Sequence, residues 1–288
     1  MKAKRVLGAK SILGVTALAL CGFLGGGCAP ARTSVPPPAA TSPSGTAPSA
    51  TLPPAPISAT PARPDYKAIV DAPDRSPEDR ALDAGRHPLE LLQFLGLGPG
   101  MKVGEVAAGG GYTSELLART VAPDGVVYGQ NSKFILERFA EKPWSERLKK
   151  PVMKNVVRVD SEFSEPFPDT IHDLDAVIDV LFYHDTVWQK ADRERMNRTI
   201  FRALRSGGQY VVVDHSARPG SGLNDVETLH RIEESVLKDE VLKAGFQLAR
   251  SADFLRSPAD TRDWSASPRV AGERRGTSDR FVLGFVKP

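Results

Sequence analysis

One stretch constrains this chain more than any other: Val103-Gly-Glu-Val-Ala-Ala-Gly-Gly-Gly-Tyr-Thr113. Val103 to Val106 reads as a short buried strand with an acid, Glu105, near its end. Three consecutive glycines, Gly109 to Gly111, follow. Thr113 to Arg119 then has helical character, with Tyr112, Leu116 and Leu117 sharing an inward face. In a strand, glycine turn and helix of this kind, bare backbone can approach a ligand and a helix N-terminus can face it.

The rest of the chain past residue 65 repeats the same alternation. Strands are expected at Gly125–Gly129, Asn155–Val159, Leu174–Phe182, Gln209–Asp214, Phe246–Phe254 and Arg280–Val286. The Leu174–Phe182 run is almost continuously apolar, as a parallel strand covered on both faces must be. Helices are expected within Asp71–Pro88, at Pro88–Leu95, at Asp192–Leu204 and from Val226 on to Lys243, with Gly207-Gly208 and Gly245 as stops. Alternating strands and helices predict an α/β domain with a mainly parallel sheet of seven strands and helices on both faces. Such sheets bind ligands beyond the carboxyl ends of their strands, so residues just after strands are the candidates for chemistry.

The N-terminus has a different character. Lys2, Lys4, Arg5 and Lys10 precede an apolar run of 13 residues, Ile12 to Leu24, too short to span a bilayer comfortably but suited to a signal peptide. Gly25-Gly-Gly-Cys28 follows and resembles a bacterial lipoprotein cleavage site, which makes Cys28 the candidate lipidated residue and the cell envelope the expected location. Ordinary cleavage near Ala29-Pro-Ala31 and an uncleaved anchor are the alternatives. Residues 29–64 hold eleven of the 24 prolines and read as an extended linker. The domain is expected over residues 65–288.

Charge and cysteine usage narrow the function classes. The formal net charge is +3, from 38 basic and 35 acidic side chains. Without the four basic residues of the leader, 34 stand against 35, so no nucleic-acid footprint remains. The two cysteines, Cys21 and Cys28, both lie in the leader, and the domain has no internal disulfide.

Spacing sorts the glycine turn. The dinucleotide fingerprint requires G-x-G-x-x-G, and counting from Gly109 its third glycine falls on Ser114, which disfavours an NAD-dependent oxidoreductase. Glu105-Val-Ala107-Ala-Gly109-Gly-Gly111 instead resembles the first motif of the class I S-adenosylmethionine (SAM) methyltransferases, acidic-x-G-x-G-x-G, with Ala107 in place of the first glycine. Leu204-Arg-Ser-Gly-Gly-Gln-Tyr-Val-Val-Val-Asp214 resembles the family's approach to its fifth strand, with Ser206 in place of proline. More narrowly, the Gly109-Gly-Gly-Tyr-Thr, Phe182-Tyr-His-Asp185, Asp214-His-Ser-Ala217 and Arg275-Gly-Thr-Ser-Asp-Arg-Phe281 segments look like a group of bacterial predicted methyltransferases, here in an exported, lipoprotein-like form.

The resemblance implies a Rossmann-like class I methyltransferase fold, SAM as cofactor and a small-molecule acceptor. It implies cofactor contacts from Glu105, Ala107, Gly109, Gly111 and Tyr112. The ribose position falls to Asn131 or Gln130, which are uncharged, and the adenine position to Asp160, with Phe163 in the same pocket. It also puts an aromatic–histidine pair, Tyr183 and His184, beside the methyl group.

His184 is the first choice for a general base, because imidazole titrates near neutrality. Asp185 is placed to orient it, and His215 sits on the same rim after the fifth strand. Tyr183 and Asp214 are expected at the substrate. In the long connection from Leu255 to Asp279, Arg274 and Arg275 join Arg269 as candidate receptors for an anionic group. Asp185, Asp214 and the two histidines permit a metal reading, as do His230 and Glu233 at i, i+3 on a helix. No ligand spacing among them is specific, so no metal is expected. The alternative to an enzyme is a non-catalytic, methyltransferase-like ligand-binding module of the envelope.

Overall fold

A computed structural model describes residues 63–288. The expected signal peptide, Cys28 and the linker up to residue 62 lie outside the described residues.

The helical lead-in expected within Asp71–Pro88 is preceded by a further short helix, and the separate helix expected at Pro88–Leu95 forms with those bounds. α1 (Tyr66–Val70) is capped by Asp65, and α2 (Pro77–Arg86) by Ser76, whose hydroxyl accepts from the Asp79 N–H at 3.1 Å. α3 (Pro88–Leu95) buries Leu91, Leu92 and Leu95 and stops at Gly96. Ala72-Pro-Asp74 and Pro88 break the run, because proline offers no amide hydrogen to continue a helix.

β1 (Lys102–Val106) enters the glycine turn and α4 (Tyr112–Val121) leaves it. β2 (Val126–Asn131) follows. Next, α5 (Lys133–Ile135) runs through a π turn (Leu136–Ala140) into α6 (Glu141–Leu148), and β3 (Val156–Asp160) comes after it. β4 (Leu174–Val180), α7 (Asp185–Trp188), α8 (Arg193–Ala203) and the 12-residue β5 (Leu204–His215) follow. α9 (Val226–Leu229), α10 (Glu234–Lys243), β6 (Gln247–Ala252) and β7 (Arg280–Val286) complete the domain.

The sheet order is β3-β2-β1-β4-β5-β7-β6. β7 alone runs antiparallel, against both β5 and β6. The expected seven-stranded, mainly parallel sheet is therefore present, and its order reverses direction between β1 and β4. Helices cover both faces. Trp144 of α6 lies against Gly129, on the face that carries Glu105. Phe246, just after α10, packs on Tyr210 with ring centroids 5.6 Å apart, on the face that carries Gly104.

The amphipathic segment expected as one helix from Val226 to Lys243 is broken. His230 takes a left-handed conformation (φ 50°) and ends α9, and Ile232 makes a bridge with Ser216 before α10 begins. Arg231 causes the break. Its guanidinium is buried and pairs with Asp260 at 2.8 Å, while Ser216 and Trp264 carbonyls accept its other hydrogens. A helix would turn that arginine away from these partners. Glu233 meanwhile accepts the Gly222 N–H at 2.7 Å, so the expected His230–Glu233 helical pair does not form.

α2 is clamped over the glycine turn by one arginine of α6. Arg147 is bidentate to Asp79 of α2 (2.6 and 2.8 Å), bonds Glu115 of α4 at 2.6 Å and donates to the Gly110 carbonyl at 2.6 Å. Gly111 is what lets α6 approach this closely. Its φ is 82°, and a Cβ there would fall 2.5 Å from the Trp144 ring. Gly111→Ala is therefore expected to lower stability by on the order of 3 kcal/mol, combining the left-handed backbone with overpacking. Gly220→Ala, also at positive φ (80°) but with nothing within 4 Å, should cost only about 1 kcal/mol. Chemical denaturation of the two variants checks the difference.

Candidate active site

The reversal between β1 and β4 opens a cavity of about 970 Å³. One wall is the glycine turn with Glu105, Ala107, Gly109 and Tyr112. The opposite wall comes from the segments after β4 and β5 with His184, Asp185 and His215. α2 supplies Arg86, and the connection before β7 supplies Ala266 to Arg269.

Two amides fix the glycine turn. The Ala107 N–H donates to Gln130 Oε1 at 3.0 Å, and the Gly109 N–H donates to Asn131 Oδ1 at 2.8 Å. Asn131 Nδ2 returns a bond to the Gly109 carbonyl, and Gln130 Nε2 donates to the Ser161 carbonyl. Ala107 itself stands at φ 52°. Both amides are thus spent on holding the turn, and Asn131 does not face the cavity as a ribose ligand would. Gly109 keeps open space beside it, since an added Cβ would meet only the Ala107 carbonyl, at 3.9 Å. Gly111 serves the packing of Trp144 and does not line the cavity.

Asp160 does not reach the cavity either. β3 is an edge strand, and Arg158 and Asp160 share its outer face while Val159 points inward. The Asp160 carboxylate binds Arg158 at 2.8 Å in solvent instead. Phe163 is buried against Phe182, with centroids 4.6 Å apart, and Phe182 is the one that lines the cavity.

The histidine wall is organised by Asp214, at the end of β5. Its fully buried carboxylate accepts the His184 backbone N–H at 2.8 Å, His184 Nδ1 at 2.7 Å and the His215 backbone N–H at 2.7 Å. With every one of these bonds directed at the protein, Asp214 positions the site and does not meet substrate. Tyr183 points away from the cavity, because its hydroxyl donates to Glu240 and accepts from Asn197, both at 2.8 Å. Of the loop arginines, Arg269 lines the cavity, stacked 4.7 Å from the Phe139 ring. Arg274 stacks on Trp264 at 5.5 Å, and neither it nor Arg275 lines the cavity.

The electrostatics separate the two buried histidines. Burial alone would lower the His184 pKa, but the Asp214 and Asp185 carboxylates outweigh it and raise it to about 10. His215 is driven well below the usual imidazole range by burial and then by the charge of His184. Its Nδ1 lies 2.8 Å from Ser278 Oγ. Asp185 is held below the ordinary carboxylate range: burial opposes this, but His184, His230 and the Trp188 indole, which donates to it at 2.7 Å, together prevail. Beneath them on β4, Asp179 has both oxygens buried without a partner among the described residues, and burial keeps it protonated.

Two further groups at the cavity are Arg86, which sequence reading did not single out, and His230, which it paired with Glu233 instead. Arg86 lies 4.5 Å over the Tyr112 ring and pairs with no carboxylate among the described residues. Burial pushes its pKa below the usual arginine range. His230, at the end of α9, turns its ring toward Asp185. Nothing in the sequence distinguishes Arg86 from a solvated helix position.

No family model matches the sequence. Solved structures do resemble the fold. A SAM-dependent methyltransferase from Aquifex aeolicus superposes with a TM-score of 0.52 at 17% identity, covering 78% of this chain and 99% of its own. The [4+2]-cyclase SpnF gives a TM-score of 0.51 at 16% identity, over 73% of this chain and 81% of its own. The chain therefore has the Rossmann-like class I methyltransferase fold. A cyclase on the same scaffold shows that the fold does not name the reaction.

Glu105 gives the cavity a measurable titration. Burial raises its pKa to about 7 against a hydrogen bond from the Ser114 hydroxyl that works the other way. Between about pH 4.5 and 7 the native protein holds this proton more tightly than the unfolded chain, so this group's contribution falls as pH rises through that window. Glu105→Gln should remove the loss, making the variant more stable than the parent by on the order of 3 kcal/mol above pH 7.5 and equal to it below pH 4. Thermal melts across pH give the difference curve.

Proposed function

We propose that this chain is a SAM-dependent methyltransferase acting on a small-molecule acceptor. One observation carries the reading. The open cradle at Gly109, the acid Glu105 and the guanidinium of Arg86, which pairs with no carboxylate among the described residues, all face one end of a cavity whose other end holds three histidines.

The donor set fits the methionine end of the cofactor. Arg86 would take its carboxylate, Glu105 its ammonium, and the bare backbone of the glycine turn would lie along the chain between them. Ile135 and Phe139 give an apolar surface for the nucleoside end. Once bound, SAM would supply an activated methyl group. The residues of this chain would orient the acceptor in line and remove its proton. Both ring nitrogens of His184 face carboxylates, Nδ1 at Asp214 and Nε2 at Asp185, so the base falls to His215, whose Nε2 is not engaged by Ser278 and whose pKa burial drives well below the usual imidazole range. Arg269 would receive an anionic substituent at the rim.

A second reading, a non-catalytic envelope module that binds a ligand without transferring a methyl group, is favoured by Asn131, which is spent on the turn where the cofactor's ribose ligand is expected. Calorimetry of the full chain with SAM and S-adenosylhomocysteine tests the enzyme reading first. Binding of both is expected, with Arg86→Ala weakening each at least tenfold. His215→Ala should lower turnover by a factor of 10² or more at nearly unchanged SAM affinity. No binding to the folded chain would remove the reading.

The N-terminal pattern supports export with Cys28 as a lipid attachment point. Cys28→Ala should then move the chain from the membrane fraction to the soluble one.

A further inference from the structure

Three side chains converge on one point of the cavity wall opposite the glycine turn. His184 Nε2 lies 3.2 Å from Asp185 Oδ1, and His230 Nδ1 lies 3.3 Å from the same oxygen. One ligand atom from each of the three residues falls within 4.8 Å of the others. The rings of His184 and His230 stand edge to face, 5.5 Å between centroids.

Two features separate this cluster from an ordinary histidine–carboxylate network. The first is distance. Charge-assisted N–H···O bonds close to about 2.7–2.9 Å, and His184 makes such a bond to Asp214 at 2.7 Å. Its other nitrogen and that of His230 both stop at 3.2–3.3 Å from Asp185. Two ligand atoms each about 2.0–2.1 Å from a tetrahedral zinc are roughly 3.3 Å apart, so the observed spacing is that of neighbours around an ion.

The second feature is orientation. Asp214 accepts from Nδ1 of His184, which fixes the proton there and turns Nε2 into the cluster. A carboxylate behind a ligating imidazole is the arrangement that orients histidines at metal centres. His230 is brought in from a separate segment, in a left-handed conformation unfavourable for a non-glycine residue, beside the buried Arg231–Asp260 pair.

We infer that His184, Asp185 and His230 form a binding site for a divalent transition-metal ion of the zinc class, with a remaining coordination position open to the cavity. Two imidazoles and one carboxylate suit zinc, iron or cobalt better than magnesium or calcium, which prefer oxygen donors. The site stands on its own side chains and does not need the methyl-transfer reading. Joined to that reading, it narrows the acceptor to a hydroxyl compound, whose oxygen would bind the ion as alkoxide or phenolate while its proton passes to His215.

The test is metal binding by the full chain after chelator stripping. Co²⁺ and Zn²⁺ are titrated separately, followed by cobalt ligand-field absorption and by metal content after desalting. One ion per chain is expected, with micromolar or tighter affinity and the intense cobalt bands of a four- or five-coordinate site. His230→Ala, at a partly exposed position, and Asp185→Asn should each weaken binding at least tenfold, and Asp214→Asn tenfold to a hundredfold through His184. Circular dichroism confirms that each variant is folded, and His230→Gln replaces the alanine variant if it is not. A folded parent without stoichiometric ion would overturn the proposal. So would binding that survives unchanged in the folded His230 variant, since the ion would then sit elsewhere, for example on Cys21 and Cys28. Loss of SAM binding has no bearing on either outcome.

Discussion

The carboxylate of Asp214 is the interaction on which the site depends. It sits at the last turn of a central strand, wholly buried, and collects three hydrogen bonds from residues on two different segments. Each bond fixes something different: where the chain turns after β4, which nitrogen of His184 carries a proton, and where β5 ends. A buried carboxylate with fewer donors would be a liability, since an unpaired charge at that depth costs several kcal/mol. Here the donors make it the post against which the reacting side chains are aligned. Asp179, one strand away and without donors among the described residues, is pushed well above the ordinary carboxylate range by the same burial.

The opposite wall is built by the same logic with neutral groups. Gln130 and Asn131 use their amides to hold a turn whose backbone must stay exposed to the cavity. Arg147 then ties α2, α4 and α6 to that turn through Asp79, Glu115 and the Gly110 carbonyl. This clamp carries Arg86 on α2 to the cavity. The cavity therefore lies between two rigid walls, one set by amide bonds and one by a carboxylate, each anchored in the sheet where its order reverses.

Much of this fold was legible in the sequence because the period of apolar residues reports burial directly. β4 is apolar nearly throughout and lies at the centre of the sheet; β3, which alternates, lies at its edge. The same periodicity misled at Val226 to Lys243, where two short helices share an apolar face and only the buried Arg231–Asp260 pair, 29 residues apart, reveals the break between them. In the site, residues placed by backbone alone were readable: Glu105, Ala107 and Gly109 must lie at the end of β1, and His184, Asp185 and His215 must follow β4 and β5. Residues whose role depends on what the side chain meets were not. Asn131, Asp160 and Asp214 at the ends of their strands, and Tyr183 just after β4, occupy the expected places but turn to Gly109, Arg158, His184 and Glu240 respectively. Arg86 is notable for lacking a carboxylate partner among the described residues, and that is a property of the folded molecule alone.

The central claim is that the glycine turn and Arg86 together form the methionine end of a SAM site. A crystal structure of the full chain grown with S-adenosylhomocysteine tests it most directly. The account predicts the ligand's carboxylate within hydrogen-bonding distance of the Arg86 guanidinium, its amino group beside Glu105, and its sulfur facing the His184–His215 wall. A ligand seated elsewhere, or one that lies in the cavity with its carboxylate away from Arg86, would contradict it.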